Sequence, residues 1–272
     1  MRNTEKRKPL TAVRKAEEWE RLLDLIDWIL THPHPNCYLR QVDLPGIHTK
    51  FIETHRGLLS QLLNLVLPEQ AIDSSATGIA GFCQRYGFRD KPERIRFRVL
   101  DPKIDPFGIK GRPDISLDVD FLSKLPVRPK RLIITENKIN FLAFPDLADA
   151  WILFGAGYGF SAWMRVEWLR HCQLFYWGDI DTHGFAALDQ LRAYFPSVKS
   201  FLMDKETLLA HQSHWGNEPD PCSHILHRLT KTENSLYTEL QKNYLGEQIR
   251  LEQERISLRF VIKFLLDDAS TL

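Results

Sequence analysis

The chain has 272 residues, 43% of them hydrophobic and 26% charged, and its formal net charge is +1. This balance excludes a protein that binds nucleic acids through overall basicity, so such a role would have to rest on local charge. The four cysteines form no CxxC pair, which argues against a zinc ribbon or a disulfide framework and favours a reduced, cytoplasmic setting.

The first part of the chain predicts helices followed by a β-hairpin. Its basic start is not followed by an apolar segment, so we expect neither a signal peptide nor a membrane anchor. Apolar residues recur at helical spacing in residues 19–30 and 48–67, and residues 78–87 are a shorter helical candidate. Charged and apolar residues then alternate in "RIRFRVLD" (94–101), and "DISLDVDF" (114–121) predicts a returning strand. This order of elements, with a basic tip on the hairpin, is typical of a winged helix-turn-helix.

The segment 123–130 carries two prolines and three basic residues, and it predicts a domain boundary. We therefore expect a helical N-terminal lead over residues 1–35, an α+β winged-helix (CAP-like) DNA-binding domain over 36–122, and a second domain over 128–272.

Short apolar strands alternate with helical segments beyond this boundary. The strands are predicted at residues 131–135, 150–154, 173–177 and 198–203, and a helical pattern follows each of them. Four such units in succession predict an α/β fold, a parallel sheet with helices on both faces. The remaining segment from residue 232 onward predicts helices.

Two of these strands end in acidic residues. Glu136 directly follows the first strand, and Asp179 and Asp181 follow the third in "FYWGDIDTHGF". Ligands of open parallel sheets gather at the carboxyl ends of the strands, where three carboxylates would repel one another without a cation. Oxygen ligands of this kind suit one or two Mg²⁺ or Mn²⁺ ions. The alternative is helix capping by Asp181 or Thr182, which would account for only one of the two aspartates.

The chain places a strand, Glu136 and a helix first, then a strand, glycine and a helix, and then a strand, Asp179-Ile180-Asp181 and a helix. This arrangement resembles the Toprim domain of topoisomerases, primases and related nucleases. "ITENKINFLAF" is similar to the version in the A subunit of type IIB topoisomerases. In this chain Asn137 follows the glutamate, at the position where many Toprim domains have glycine and where the type IIB branch does not. That branch also carries a CAP-like winged helix upstream of Toprim, and the resemblance implies the same two parts here.

Four longer motifs resemble the JetD subunit of bacterial Wadjet plasmid-defence systems: "YLRQVDLPGIHTKFIETHRGLLSQLL", "FGAGYGF", "YWGDIDTHGFAALDQLR" and "LLAHQSHWGNEP". The resemblance extends from about residue 36 to the end of the chain. It implies a nuclease subunit that acts on double-stranded circular DNA with an SMC-type ATPase, its kleisin and accessory subunits, and we also expect a homodimer. Family members carry a longer N-terminal arm, so residues 1–35 are interpreted as a naturally short or a truncated arm.

The nucleophile is left open by the residues. An ion held by Glu136, Asp179 and Asp181 would favour attack by water, and Glu136 could alternatively act as a general acid or base. Related topoisomerases attack with a winged-helix tyrosine, for which Tyr38 and Tyr86 are the candidates, although neither lies in the paired-tyrosine context of that motif. A third hypothesis is a non-catalytic DNA-binding scaffold whose acids serve only as caps.

Other polar residues have weaker signals. Lys138 could contact a phosphate, and His183 could orient a phosphate or a metal-bound water. Acidic residues in "GEQIRLEQER" could reach a metal, but a solvated helix face with ion pairs to arginine is the preferred interpretation for Glu247, Glu252 and Glu254. The paired histidines 211/214 and 224/227 favour surface or core roles over zinc.

Positive charge is concentrated between residues 85 and 112, which hold nine basic and four acidic residues. Arg94, Arg96 and Arg98 alternate along the predicted strand and therefore share one face. The loop that follows adds Lys110 and Arg112. A solvated, edge-protecting face is one explanation for this pattern, and a cradle for DNA phosphates is the other.

Overall fold

The structure is a computed structural model in which residues 18–108, 111, 113–155 and 160–267 are described. The chain divides into two compact units, residues 1–91 and 92–272, and each is described by itself. None of the helices in the described part of the chain has the length and apolar character needed to cross a membrane.

The described residues of the N-terminal unit form helices that are joined by turns and loops. It contains α1 (Trp19–Thr31), α2 (Thr49–Val66) and the single turn α3 (Phe82–Arg85), so the helices predicted at 19–30 and 48–67 are confirmed. Helix α2 begins where the His48 ring accepts a hydrogen bond from the backbone N–H of Phe51. Apolar residues of α1 and α2 form the core of this unit, and residues 18–91 contain isolated β-bridges but no strand.

The C-terminal unit is built on a six-stranded, mostly parallel sheet with the order β2-β1-β4-β3-β5-β6. Its strands are β1 (Arg94–Val99), β2 (Ile115–Asp118), β3 (Arg131–Thr135), β4 (Ala150–Phe154), β5 (Gln173–Trp177) and β6 (Lys199–Ser200). Strands β3, β4 and β5 match their predicted bounds, because each is an apolar run buried on both sides. Strand β6 is shorter than predicted.

The hairpin predicted as a wing forms, but it belongs to this sheet. Strand β1 pairs antiparallel with β2 and, on its other side, with β4. Phe97 of β1 stacks on Trp151 of β4 with ring centroids 4.9 Å apart. Because both edges of β1 are hydrogen-bonded, the hairpin is not the free wing expected for residues 36–122, and the winged helix is not confirmed. Alternation predicts a strand, but it does not say which neighbour the strand pairs with.

The helices of this unit are α4 (Val119–Ser123), α5 (Lys138–Ala143), α6 (Phe160–Trp163), α7 (Thr182–Tyr194), α8 (Lys205–Ala210), α9 (Lys231–Gln241) and α10 (Leu258–Asp267). The connection through α5 leads from β3 outward to β4, whereas the connection through α7 leads from β5 outward to β6. The chain direction thus reverses between β3 and β5, and with right-handed crossovers α5 and α7 lie on opposite faces. A crevice forms at such a switch point, outside the carboxyl ends of the two strands.

The segment predicted as purely helical also contains a short strand, β8 (Ile249–Arg250), paired with β7 (Gly216–Asn217). The next residue, Leu251, forms a β-bridge with Ile180, which lies between the two aspartates of the predicted site. The 3₁₀ turn Gln253–Arg255 follows. Residues 249–255, named the C-terminal strap below, are thereby fastened beside the crevice.

Candidate carboxylate site

The three predicted carboxylates line one cavity of about 480 Å³ at the switch point. Glu136 follows β3, and Asp179 and Asp181 follow β5, so neighbouring parallel strands deliver them to the same edge of the sheet. Helix α5 begins behind Glu136 because the Asn137 side chain accepts hydrogen bonds from the first free backbone N–H groups of the helix. Asn137 thus fixes the turn that presents Glu136.

Asp181 is both a helix cap and a member of the site. Its Oδ1 accepts a hydrogen bond of 2.7 Å from the backbone N–H of Gly184 at the start of α7. Burial raises the pKa of Asp181 to about 6; the Gly184 hydrogen bond opposes the rise, and the nearby carboxylates of Glu218 and Asp179 add to it. Asp181 therefore caps helix α7 through Oδ1 and also lines the carboxylate cavity, so the two interpretations of this residue hold together.

Asp179 is held by the C-terminal strap. Arg250 Nη2 donates to Asp179 Oδ2 at 2.5 Å, and the backbone N–H of Gln253 donates to Oδ1 at 2.9 Å. Arg250 Nε lies 3.1 Å from Asp181 Oδ2, although it is buried without an aligned hydrogen bond. One guanidinium therefore spans both aspartates. Burial alone would lower the pKa of Arg250, but the hydrogen bond to Asp179 outweighs it and the pKa is raised.

Glu136 is positioned by a tyrosine that the sequence did not single out. The Tyr176 hydroxyl donates to Glu136 Oε1 at 2.8 Å. Burial raises the pKa of Glu136, the Tyr176 hydrogen bond lowers it, and the charge of Asp179 adds to the rise. A Cβ atom at Gly178 would lie 2.7 Å from the Tyr176 hydroxyl oxygen, so the glycine makes room for this contact.

The donor set fits a hard divalent cation, but the described arrangement is not closed around one. Among the described residues no group of three or more His, Cys, Asp or Glu side chains is placed to hold a metal ion. At this site the Arg250 guanidinium contacts both Asp179 and Asp181. Burial raises the pKa of Glu136 and of Asp181, and the charge of Asp179 adds to both rises, so a cation bound here would favour their charged forms. Carboxylate oxygens in this setting are the ligands that Mg²⁺ and Mn²⁺ prefer.

Comparison with protein families identifies the chain. The family model described as the C-terminal part of the Wadjet protein JetD matches residues 87–265, which is more than half of the chain and includes the whole carboxylate site. The chain belongs to the JetD family. A second model, described as the N-terminal part of an uncharacterized protein conserved in bacteria, matches residues 1–64. No curated protein matches the chain.

A fourth carboxylate, that of the buried Glu218, lies next to the site in this JetD family member. Its oxygens accept hydrogen bonds from the backbone N–H groups of Thr182 and His183 and from the Thr182 hydroxyl. The exposed His183 ring lies within 2.7 Å of the Asp220 carbonyl oxygen and lines the cavity. Glu218 stands in the quoted motif "LLAHQSHWGNEP", but nothing in its spacing indicated a partner 36 residues earlier.

The acidic residues of the C-terminal strap do not reach the three carboxylates. Glu252 Oε2 pairs with Arg255 Nε at 2.9 Å and its Oε1 lies 3.8 Å from Arg250, so the predicted ion pairs to arginine are confirmed for Glu252. Glu254 accepts a hydrogen bond from the Asn137 side chain. The contributions of this segment that sequence reasoning missed are Arg250 and the Gln253 backbone.

The arginines of β1 are engaged within the unit. Arg94 pairs with Asp118 at 2.8 Å, and Arg96 pairs with Asp114. Arg98 is buried, and its guanidinium donates to backbone carbonyls at the end of α5, so its contact with a phosphate stays a prediction that this arrangement does not favour. An alternating pattern cannot show that the second face of a strand is covered.

The remaining predicted DNA contacts stay predictions. Lys110 and Arg112 lie outside the described residues. Lys138 is exposed at the first position of α5, beside Glu136 in the chain.

Of the two candidate tyrosine nucleophiles, Tyr86 is buried and donates to Asn64 Oδ1 at 2.9 Å, whereas Tyr38 is exposed.

Proposed function

We propose that this protein is a Mg²⁺- or Mn²⁺-dependent DNA endonuclease subunit of a Wadjet plasmid-defence complex. The observation that carries the proposal is the convergence of Glu136, Asp179 and Asp181 on one cavity at the switch point of a mostly parallel sheet. The matching family is that of a Wadjet protein, which supports membership of a multi-subunit assembly. Its expected partners are double-stranded DNA, an SMC-like ATPase with kleisin and accessory subunits, and a second copy of the chain.

The proposed reaction is hydrolysis of a phosphodiester bond by water. Glu136, Asp179 and Asp181 would hold the ion, which when bound neutralises charge on the phosphate and lowers the pKa of a water ligand. Glu136 Oε2 has no hydrogen-bond partner among the described residues, so in the alternative role Glu136 would act as the general base that takes the proton of the attacking water. A bond forms between phosphorus and the oxygen of the attacking water as the bond from phosphorus to the oxygen of the leaving strand breaks. The leaving oxygen takes up a proton from solvent, so both DNA ends are free of protein.

A tyrosine-dependent mechanism has less support. The buried Tyr86 hydroxyl donates to Asn64 and to the Ser60 carbonyl, which leaves it poorly placed to attack a phosphate. Tyr38 is exposed but belongs to the N-terminal unit, for which no winged helix is confirmed. The scaffold hypothesis predicts DNA binding without cleavage under any divalent metal.

The test is cleavage of supercoiled plasmid by the full chain with its partner subunits, ATP and Mg²⁺ or Mn²⁺. We expect Glu136→Gln and Asp179→Asn to reduce nicking and linearisation by at least about a hundredfold, the scale of a lost catalytic group. Glu206→Gln is the matched control, because this exposed carboxylate on α8 does not line the site cavity, and it should retain activity.

Digestion of the products with protease separates the mechanisms. DNA ends that migrate identically with and without protease support hydrolysis, whereas protein-linked ends would move the assignment to Tyr38. Absence of cleavage in the complete assembly with either metal would refute the nuclease proposal and favour the scaffold.

A further inference from the structure

Arg250 takes up the oxygens that a metal ion would need. Its guanidinium contacts Asp179 Oδ2 at 2.5 Å and Asp181 Oδ2 at 3.1 Å. The other oxygen of each aspartate is bonded to a backbone N–H, that of Gln253 for Asp179 and that of Gly184 for Asp181. All four oxygens of the aspartate pair therefore face a positively polarised group.

Only one of these groups is free to leave. The Gly184 N–H belongs to the first turn of α7, and the Gln253 N–H is fixed because the Gln253 side chain is buried and accepts hydrogen bonds from Thr135 and Asn140. The Arg250 side chain is about one-third exposed and has several rotatable bonds. Displacing it breaks its ion pairs with the two aspartates but no backbone hydrogen bond.

A second acceptor for the guanidinium already lies within reach. Glu252 Oε1 is 3.8 Å from Arg250 Nη2, and Glu252 is farther along the same strap. A rotation of the arginine side chain toward Glu252 would clear the aspartates without unpairing β8 from β7. The Arg250 guanidinium thus has two sets of carboxylate partners within reach, the two aspartates in one position of the side chain and Glu252 in the other.

We propose that Arg250 is a tethered cation that competes with the divalent metal for Asp179 and Asp181 and thereby lowers the metal affinity of the site. The inference rests on the proposed metal centre. It assigns regulation to that centre, because any partner contact that draws Arg250 toward Glu252 raises metal affinity and switches the nuclease on. Without such a contact the Arg250 guanidinium stays bound to both aspartates, because the pairing of β8 with β7 holds Arg250 beside them.

The test is Mn²⁺ binding to the full chain by isothermal titration calorimetry, without DNA. We expect Arg250→Gln to bind Mn²⁺ at least about tenfold more tightly than the natural chain, because a unit charge a few ångströms from a divalent ion repels it by more than this factor represents. Arg165→Gln is the matched control. It removes the same charge from the same unit, but Arg165 pairs with Glu93 and does not line the cavity, so the affinity should stay within about twofold.

The outcomes separate the inference from the proposed function. Equal or weaker Mn²⁺ binding by Arg250→Gln, with natural binding that Asp179→Asn abolishes, overturns the role of Arg250 and leaves the metal centre standing. Absence of binding in both the natural chain and Arg250→Gln overturns the metal centre and the inference with it. If Arg250→Gln does not fold, Arg250→Lys decides, because a lysine reaches one carboxylate at a time and should give a smaller gain in affinity, whereas no gain contradicts the proposal.

Discussion

Two buried carboxylates of the C-terminal unit differ in how completely their charge is compensated. Glu233 forms two hydrogen bonds with the Arg192 guanidinium, at 2.6 and 2.9 Å. Burial alone would raise the pKa of Glu233, but the Arg192 hydrogen bonds and further donors hold it at about 2. Burial raises the pKa of Asp181 to about 6, the charges of Glu218 and Asp179 add to the rise, and the single Arg250 guanidinium does not offset it. A buried acid that is fully paired with one arginine is typical of a structural ion pair. A buried acid in a cavity whose charge is only partly compensated is typical of a functional site.

We predict that Glu233→Gln lowers the free energy of unfolding by about 3 kcal/mol at pH 7, since it leaves the Arg192 charge buried without its partner. The sign with pH follows from the pKa of about 2 in the folded state and 4.5 as the ordinary value. The stabilisation by Glu233 is fully present above the ordinary value and is lost as the pH falls through the folded value. The natural chain and the variant should therefore approach each other in stability as the pH falls below about 4. Urea unfolding at a series of pH values measures this.

Replacing both members of the pair provides the control. Arg192→Met combined with Glu233→Leu removes the buried charges together and should cost less than Glu233→Gln alone. A double variant as unstable as the single one would show that the hydrogen bonds of Arg192 to the carbonyls of Val198 and Arg228 dominate instead.

At the scale of elements, helix α7 begins under tight constraint. Gly184 is its third residue, and a Cβ atom there would lie 2.1 Å from the Asp179 carbonyl oxygen. The turn that carries the two aspartates and the first turn of the helix thus approach more closely than any side chain at residue 184 would allow. Gly57 in the middle of α2 has only the Ile79 side chain nearby, at 3.9 Å.

We predict opposite effects for alanine at these two helical glycines. Gly57→Ala should stabilise the chain by about 0.5–1 kcal/mol, because alanine has the higher helix propensity and the space is open. Gly184→Ala should destabilise it by about 1–3 kcal/mol, the usual cost of overpacking, and should displace Asp179. Thermal unfolding of the two variants beside the natural chain measures both signs. A stabilising Gly184→Ala would mean that the turn before α7 relaxes without cost.

These elements also show where sequence reasoning reaches its limit. Strands β3, β4 and β5 are predictable to the residue because a buried strand is an apolar run with sharp ends. That same regularity placed Glu136 and the two aspartates at one edge of the sheet. Strand β8 has only two residues, too few for any period to show. Arg250 was missed for this reason, since it reaches Asp179 across 71 residues of chain only through the β7–β8 ribbon and the bridge of Leu251 to Ile180.

For the molecule as a whole, electrostatics gives little long-range attraction for DNA. The formal net charge is +1, and Arg94 and Arg96, in the most basic stretch of the chain, are each paired with an aspartate of the same unit. A protein whose basic residues are internally paired releases few counterions on binding DNA. We therefore expect weak binding of DNA by the isolated chain, which would suit the proposed nuclease if its partner subunits deliver the substrate.

We predict that the isolated chain binds duplex DNA with a shallow dependence on salt, and that Lys138→Gln lowers the slope of log K against log salt by about one, the value for one phosphate contact. Among the described residues Lys138 has no salt bridge, and its helix starts beside the carboxylate site. Arg96→Gln is the matched comparison, because Arg96 is already bonded to Asp114 and lies over the rings of Phe141 and Phe154. Its loss should leave the slope unchanged and lower stability instead. Fluorescence anisotropy over a salt series measures both slopes. A slope that falls by about one in Arg96→Gln and not in Lys138→Gln would restore the β1 arginines as the DNA cradle and would require their ion pairs to open when DNA binds.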